Sequence, residues 1–117
     1  MSSSPKVFHI KGEAIKRLIP NMGGCYASDR ITVDGMLVGY MYREKPGDEI
    51  DSGWRFMSGD ESQDYIDNAD HIGIYEVNTI CNYSPDIIPY LNRPIGSALE
   101  RSSKTGQLTS VPPQVEG

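Results

Sequence analysis

The sequence predicts an α+β domain in which short helices pack on an antiparallel sheet of four or five strands. Apolar and polar residues alternate over several short runs, Gly or Pro separates these runs, and helix-start patterns begin at Ser58 and Ser84. The 117 residues suit a single domain. We place it at residues 6–101 and expect disordered segments at 1–5 and 102–117, where the composition is polar and aperiodic.

The first predicted elements are short. Val7, Phe8 and Ile10 indicate a brief strand, and the apolar spacing from Ala14 to Ile19 indicates a helical turn. Pro20 ends that turn because proline cannot continue a helix.

The strongest strand signal surrounds Asp34-Gly35. Two alternating runs, Cys25 to Val33 and Met36 to Arg43, flank this dipeptide, which is typical of a type I′ hairpin. A two-residue loop pairs Val33 with Met36, Ile31 with Val38, Asp29 with Tyr40 and Ala27 with Tyr42. This register predicts one apolar face, with Asp29 as its one charged member.

The later elements follow from turn and cap residues. Gly53 to Ser58 is predicted as a strand with Trp54 and Phe56 on one face, and Ser58 and Glu61 have the spacing of a capping box before a short acidic helix. Ile72 to Tyr75 is predicted as a strand, whereas Val77 to Tyr83 fits either a strand or a helix. Ser84-Pro85 opens a short helix to Leu91, and Ile95 to Arg101 forms the last strand.

The net charge of −5 and the pI of about 4.9 argue against a nucleic-acid or anionic-membrane partner, since both require a basic surface. No apolar run is long enough to cross a bilayer, and the N-terminus lacks the apolar core of an export signal. We therefore expect a cytoplasmic protein.

Acidic residues are concentrated in the middle of the chain. Nine of them lie between residues 46 and 80, against one basic residue, Arg55. One interpretation is an electronegative face that steers a basic protein partner, and the other is a set of solvated loops and helix starts. The candidate partner-binding residues are Asp48, Glu49, Asp51, Asp60, Glu61, Asp64, Asp67 and Asp70.

No metal or cofactor is expected. A calcium loop starting at Asp60 places Tyr65 where glycine is needed and His71 where a bidentate glutamate is needed. The residues His9, Cys25, His71 and Cys81 lack the paired spacing of a zinc site.

No catalytic residues are predicted. The two cysteines are expected to be buried thiols, not a disulfide. A pair of Cys25 or Cys81 with His71 stays open as a nucleophilic site, although no sequence pattern singles it out.

Asp29 requires a partner because it lies on the predicted apolar face. It bonds Tyr40 or Arg55 as a structural group, or it opens into a small-molecule pocket with Tyr40, Trp54 and Arg55. Trp54 is expected in the core, and Arg55, on the opposite face of the same strand, is expected to pair with nearby acids.

Four segments resemble a bacterial protein family: Cys25 to Arg30, Gly53 to Glu61, Ile72 to Ile80 and Pro94 to Arg101. The sequence is similar, over about residues 20–101, to domain-of-unknown-function family 2185, which is also grouped as immunity family 33 of polymorphic toxin systems. Gly53-Trp-Arg-Phe followed by Ser58-Gly-Asp-Glu is the most specific part. The resemblance implies an α+β fold and neutralisation of a bacterial toxin, and it brings no catalytic residues.

Three hypotheses follow. The first is an immunity-type protein that docks its acidic segment on a basic toxin domain. The second is a small-molecule-binding or enzymatic domain with a pocket at Asp29, Tyr40, Trp54 and Arg55, and the third is a structural homodimer formed through the sheet edge.

Overall fold

The computed structural model describes residues 6–112 as a six-stranded sheet with short helices. The strands are β1 (Gly24–Ser28), β2 (Tyr40–Arg43), β3 (Asp51–Met57), β4 (Ile72–Glu76), β5 (Ala98–Arg101) and β6 (Leu108–Val111). The α-helices are α1 (Asp29–Thr32), α2 (Gln63–Asp67) and α3 (Val77–Tyr83), and 3-10 helices lie at Gly12–Ala14, Ala69–His71 and Pro85–Tyr90. The predicted α+β class is confirmed.

The sheet is mixed, with the strand order β4-β1-β3-β2-β5-β6. β1 and β3 run parallel, and the other four neighbouring pairs are antiparallel. The prediction of an antiparallel sheet of four or five strands is wrong in these details. The sheet is mixed because β1 continues into helix α1 instead of turning back to pair with β2. The neighbour of β1 is therefore β3, which runs parallel to it.

The predicted Asp34-Gly35 hairpin is wrong because these residues end helix α1. The Ser28 hydroxyl caps the helix start by accepting a hydrogen bond from the Arg30 N–H (3.1 Å). At the other end the Gly35 N–H donates to the Ile31 carbonyl (3.0 Å), and Gly35 has a φ of 79°. Type I′ turns need two positive φ values, but in the described part of the chain only glycines have one. Gly35 is therefore a helix-ending glycine.

The strand pairs predicted for that hairpin are wrong as well. Ala27 pairs with Phe56 of β3 and Gly73 of β4. Tyr40 pairs with Met57 of β3 and Glu100 of β5. β3 therefore lies between the two segments that were expected to pair directly.

β3 is the central strand and includes most of the predicted strand from Gly53. Trp54 and Phe56 are fully buried on one face, where their rings stack with centroids 5.9 Å apart. The Trp54 indole N–H donates to the Leu91 carbonyl (3.1 Å), so its polar atom is satisfied in the core. The core position predicted for Trp54 is confirmed.

Helix α2 matches the predicted acidic helix but begins at a different cap. The Ser62 hydroxyl accepts from the Tyr65 N–H (3.1 Å), which makes Ser62 the N-cap. The Glu61 carboxylate accepts from the Ser58 N–H (2.8 Å), so the glutamate half of the predicted capping box forms just before the helix.

The remaining short elements agree in part with the sequence. β4 lies at the predicted strand, the ambiguous segment Val77–Tyr83 is helix α3, and a 3-10 helix follows Ser84. The strand predicted at Val7 to Ile10 is wrong, since the first regular element described is the 3-10 turn Gly12–Ala14.

The C-terminal segment contains β6, so the prediction of disorder from residue 102 is wrong for residues 108–111. These residues pair with β5, and Leu108 is 5% exposed. The polar loop between them gave no signal for a sixth strand. Residues 1–5 and 113–117, which were also predicted as disordered, lie outside the described residues.

The core forms between one face of the sheet and the helices α1 and α3. It contains Cys25, Ala27, Ile31, Val38, Met41, Trp54, Phe56, Val77, Ile80, Cys81, Ile87, Leu91, Leu99 and Leu108. Polar groups in α3 also attach the N-terminal segment: the Asn78 side chain accepts from the Leu18 N–H (2.7 Å) and donates to the Lys16 carbonyl (2.9 Å).

Candidate partner-binding surface

The acidic window divides between the two ends of the sheet. Asp48, Glu49 and Asp51 lie where β3 begins, and the residues from Asp60 to Asp70 follow the end of β3. The seven residues of β3 span about 20 Å, so the two groups cannot form one continuous patch. The structure does not bring the eight predicted binding residues together.

At the start of β3 the acids mainly stabilise the protein itself. The Asp51 carboxylate accepts two hydrogen bonds from the Arg55 guanidinium (2.9 and 2.8 Å) and one each from the Gly47 and Gly53 N–H groups (both 2.9 Å). These bonds, led by those from Arg55, hold the pKa of Asp51 well below its usual range. Asp48 accepts from the Asp51 N–H (2.9 Å) and so shapes the preceding loop.

Arg55 pairs with nearby acids, as the sequence predicted. It is 5% exposed, bonds both Asp51 and Glu44, and lies 4.3 Å from the centre of the Tyr26 ring. The hydrogen bonds that Arg55 donates to these carboxylates, above all to Asp51, outweigh the effect of burial and raise the pKa of Arg55. Residues 43–55 contain four acids and three bases, so this end carries little excess charge.

The opposite end of the sheet is strongly acidic. We define the acidic end as residues 28–35 and 58–71, which lie where β1 and β3 end. These two segments contain seven carboxylates and one basic residue, Arg30. The carboxylates belong to Asp29, Asp34, Asp60, Glu61, Asp64, Asp67 and Asp70. The acidic end therefore contains six more carboxylates than basic side chains.

Several acids of this end are exposed, and others order its backbone. Asp64, Asp67 and Asp70 are exposed on and after α2. Glu61 is partly buried, and burial disfavours its charge. Hydrogen bonds from Ser28 and from the Ser58 and Gly59 N–H groups outweigh that effect and lower its pKa. Glu61 therefore remains ionised while it fixes the turn that leads into α2.

Asp29 belongs to the acidic end and bonds a residue that the sequence did not indicate. Its carboxylate accepts from the Lys6 ammonium (2.8 Å), and its side chain is 14% exposed. Its predicted partners were Tyr40 and Arg55, but β3 separates Asp29 from Tyr40. Arg55 instead uses its donors on Asp51 and Glu44. The loss of the predicted hairpin explains this difference.

Aromatic and cationic groups connect the two segments of the acidic end. The Arg30 guanidinium carbon lies 5.2 Å from the centre of the Tyr65 ring, and its Nε is 3.6 Å from an Asp60 oxygen. The Tyr65 ring stacks on His71 with centroids 3.9 Å apart, and His71 Nδ1 is 2.7 Å from the Tyr65 carbonyl oxygen. The Arg30 contacts join α1 to the segment 58–71, and the His71 contacts join α2 to the 3-10 helix that follows it.

An open groove of about 880 Å³ adjoins the acidic end. Its walls include the exposed apolar residues Met36 and Leu37, which are 39% and 51% exposed, together with two acids and two bases: Asp60, Glu100, Arg101 and Lys104. Sequence reasoning missed this groove because Met36 and Leu37 had been assigned to a hairpin strand. The signal in the sequence that points to the groove is Gly35, because a glycine that ends helix α1 places Met36 and Leu37 in a loop instead of a strand.

The four residues proposed for a small-molecule pocket do not meet in one cavity. Trp54 is fully buried, Arg55 lies on the other face of β3, and Asp29 pairs with Lys6. None of them, nor Tyr40, lines the groove.

The cysteines are free and buried, as expected from the sequence. Burial raises the pKa of Cys81 to about 11 and that of Cys25 still further. Neither thiol has the lowered pKa of a reactive nucleophile. His71, their suggested partner, instead stacks on Tyr65 at the acidic end.

Within residues 6–112, no group of three or more His, Cys, Asp or Glu side chains is arranged to hold a metal ion. Over the same residues, no helix has the length and apolar character needed to cross a membrane.

Comparison with known proteins identifies the family. Residues 25–112 match the family model described as the immunity protein Imm33 domain. No characterised protein and no solved structure matches the chain significantly. The match covers most of the chain and confirms the resemblance seen in the sequence. The chain belongs to the Imm33 family of immunity protein domains.

Proposed function

We propose that this protein neutralises a bacterial toxin by binding it through the acidic end and the adjoining groove. The observation that carries the proposal is the seven-to-one excess of carboxylates over basic residues in segments 28–35 and 58–71. Membership of an immunity protein family supports a protein partner. The protein acts by binding, without catalysis, in the cytoplasm where the toxin would cause damage.

The charge indicates the kind of toxin surface. Enzymes that act on nucleic acid carry basic surfaces because they must displace counterions from phosphates. Asp64, Asp67 and Asp70 are exposed and available to attract such a surface at long range. An inhibitor that covers it would block the substrate.

The groove supplies the short-range part of the interface. Interfaces gain stability from apolar anchors at their centre and gain association rate from charge at their rim. Leu37 and Met36 provide apolar contact, while Asp60 joins the groove to α2. A toxin surface that places an apolar side chain in the groove and basic side chains beside α2 fits this combination.

A growth assay tests the proposal. The partner is first captured from the source bacterium with this protein at low salt and is then expressed alone or together with it. We expect the captured protein to arrest growth when expressed alone and co-expression to restore growth. Restored growth should be lost with the double variant Asp64→Lys and Asp67→Lys.

The control variant carries the same charge change elsewhere. Glu13→Lys with Glu49→Lys alters two exposed acids outside the acidic end and should still restore growth. If both double variants restore growth equally well, the acidic end is not the toxin-binding surface.

A further inference from the structure

The edge of the sheet at β4 has backbone groups without a partner among the described residues. β4 is the outermost strand and pairs with β1 only. The Val77 N–H donates to the Gly23 carbonyl (3.1 Å), so the odd-numbered residues of this segment direct their N–H and C=O groups toward β1. Ile74 therefore directs both of its groups outward without a partner in residues 6–112. Of the other outward groups, the Ile72 N–H already donates to the Ala69 carbonyl and the Glu76 carbonyl accepts the first hydrogen bond of helix α3, which leaves the Ile72 carbonyl and the Glu76 N–H.

Apolar side chains flank this edge on both faces of the sheet. Ile74 is 73% exposed and stands beside Tyr26, its partner in β1, which is 39% exposed. On the other face Phe8, also 39% exposed, contacts the Tyr75 ring edge-on at 5.9 Å. A strand pairing with β4 would cover these side chains as well as the backbone.

The two edges of the sheet differ in their protection. Natural sheets guard their edges with lysine, proline, bulges or very short strands. β6, at the other edge, has four residues and is followed directly by Pro112. β4 has five residues, regular pairing with β1, and neither lysine nor proline. β4 therefore has the features of an edge strand that pairs with a further strand in the functional assembly.

We propose that β4 pairs in antiparallel fashion with β4 of a second copy of this chain. A two-fold axis at Ile74 sets Ile74 opposite Ile74 of the second copy and Ile72 opposite Glu76. Such an interface is self-complementary, as a two-fold dimer requires. The two Ile74 residues exchange two hydrogen bonds, and each free Glu76 N–H donates to the free Ile72 carbonyl of the second copy.

The charges at this edge permit two acidic molecules to approach. Glu76 faces Ile72 of the second copy instead of another carboxylate, and it already forms an ion pair with Arg17 (Nη2 to Oε1, 3.0 Å). Antiparallel pairing also directs the two acidic ends in opposite directions along the joined sheet. Each copy therefore keeps its toxin-binding surface free, and the dimer does not depend on the proposed toxin binding.

Sedimentation analysis over a range of protein concentrations tests the proposal. We expect a monomer–dimer equilibrium, and we expect Ile74→Lys to raise the dimer dissociation constant about tenfold or more by placing two like charges opposite one another. Ile50→Lys is the matched control, since Ile50 is 75% exposed in the loop before β3, away from the β4 edge. Thermal unfolding of both variants verifies that each is folded.

Amide hydrogen exchange provides the second readout. The Ile74 and Glu76 amides should exchange more slowly as concentration rises, and this protection should disappear in Ile74→Lys. A monomer at every concentration, or a dimer that Ile74→Lys leaves unchanged, would overturn the proposal. Protection of these amides only when the captured toxin is added would overturn it too and would assign the edge to the toxin.

Discussion

Arg55 and Asp51 form a charged pair that is built into the sheet. Arg55 is 5% exposed and the Asp51 side chain 15%, and their two hydrogen bonds are joined by contacts to Glu44 and Tyr26. Removing one partner of such a pair leaves a desolvated charge behind and is more damaging than the net stability of the pair suggests. The pair fixes the loop before β3 to the middle of that strand.

Asp51 gives a prediction about pH. Its folded-state pKa lies below the unfolded value of about 3.9, so its contribution to stability is complete above that pH and is lost as the pH falls further. We expect Asp51→Asn to lower the free energy of unfolding at neutral pH and to flatten its decrease below about pH 4. Denaturant unfolding measured across this range checks it, with Glu49→Gln, an exposed acid in the same loop, as the control. Equal acid slopes in all three proteins would refute it.

Residue-scale predictions were most reliable where the partner is close in sequence. The pairing of Arg55 with neighbouring acids and the core position of Trp54 followed from strand alternation alone. The partner of Asp29 did not, because Lys6 lies 23 residues away and is placed by the N-terminal segment packing beside α1. Sequence reasoning showed that Asp29 needs a partner but had no means of naming it.

At the scale of elements, the close contact between the start of β2 and the end of β3 depends on Gly39. A Cβ at this position would lie 1.8 Å from the Ser58 carbonyl oxygen, and rotation of a side chain cannot relieve an overlap with the backbone. We expect Gly39→Ala to lower the free energy of unfolding by about 1–3 kcal/mol. Gly12→Ala is the control, because a Cβ there meets nothing within 4 Å. Equal stability of the two variants in denaturant unfolding would contradict this prediction.

The elements predicted correctly are those with strong local signals. The strand containing Trp54, the acidic helix and the strand at Ile72 all have clear alternation or cap residues. The hairpin prediction at Asp34-Gly35 was wrong because this dipeptide is common both in hairpin turns and at helix ends. The Ser28 cap starts a helix at Asp29, so here the dipeptide ends that helix. β6 was missed because four residues in a polar stretch carry too little pattern.

At the scale of the whole molecule, the topology sorts the acidic residues into two groups with different roles. Asp48 and Asp51 order the start of β3, whereas Asp64, Asp67 and Asp70 extend an exposed acidic surface. Composition alone predicted the excess of acids. It could not predict the division, because the seven-residue strand β3 separates groups that are near in sequence. The groove at Leu37 also depends on strand order, which the sequence did not indicate.

The acidic end predicts a salt dependence for toxin binding. The Debye length falls from about 30 Å at 0.01 M salt to about 8 Å at 0.15 M, which screens the long-range attraction. We expect the association rate constant to fall steeply over this range while the dissociation rate constant changes little. Stopped-flow or surface-based kinetics with the captured toxin measure both constants. A salt-independent association rate would show that charge does not steer the encounter.

The most direct test of the central claim is the association rate of the captured toxin with two double variants of equal net charge. We predict that Asp64→Lys with Asp67→Lys slows association at least about tenfold at low salt, while Glu13→Lys with Glu49→Lys stays close to the unaltered protein. Equal rates for the two double variants would contradict the claim that the acidic end is where the toxin binds.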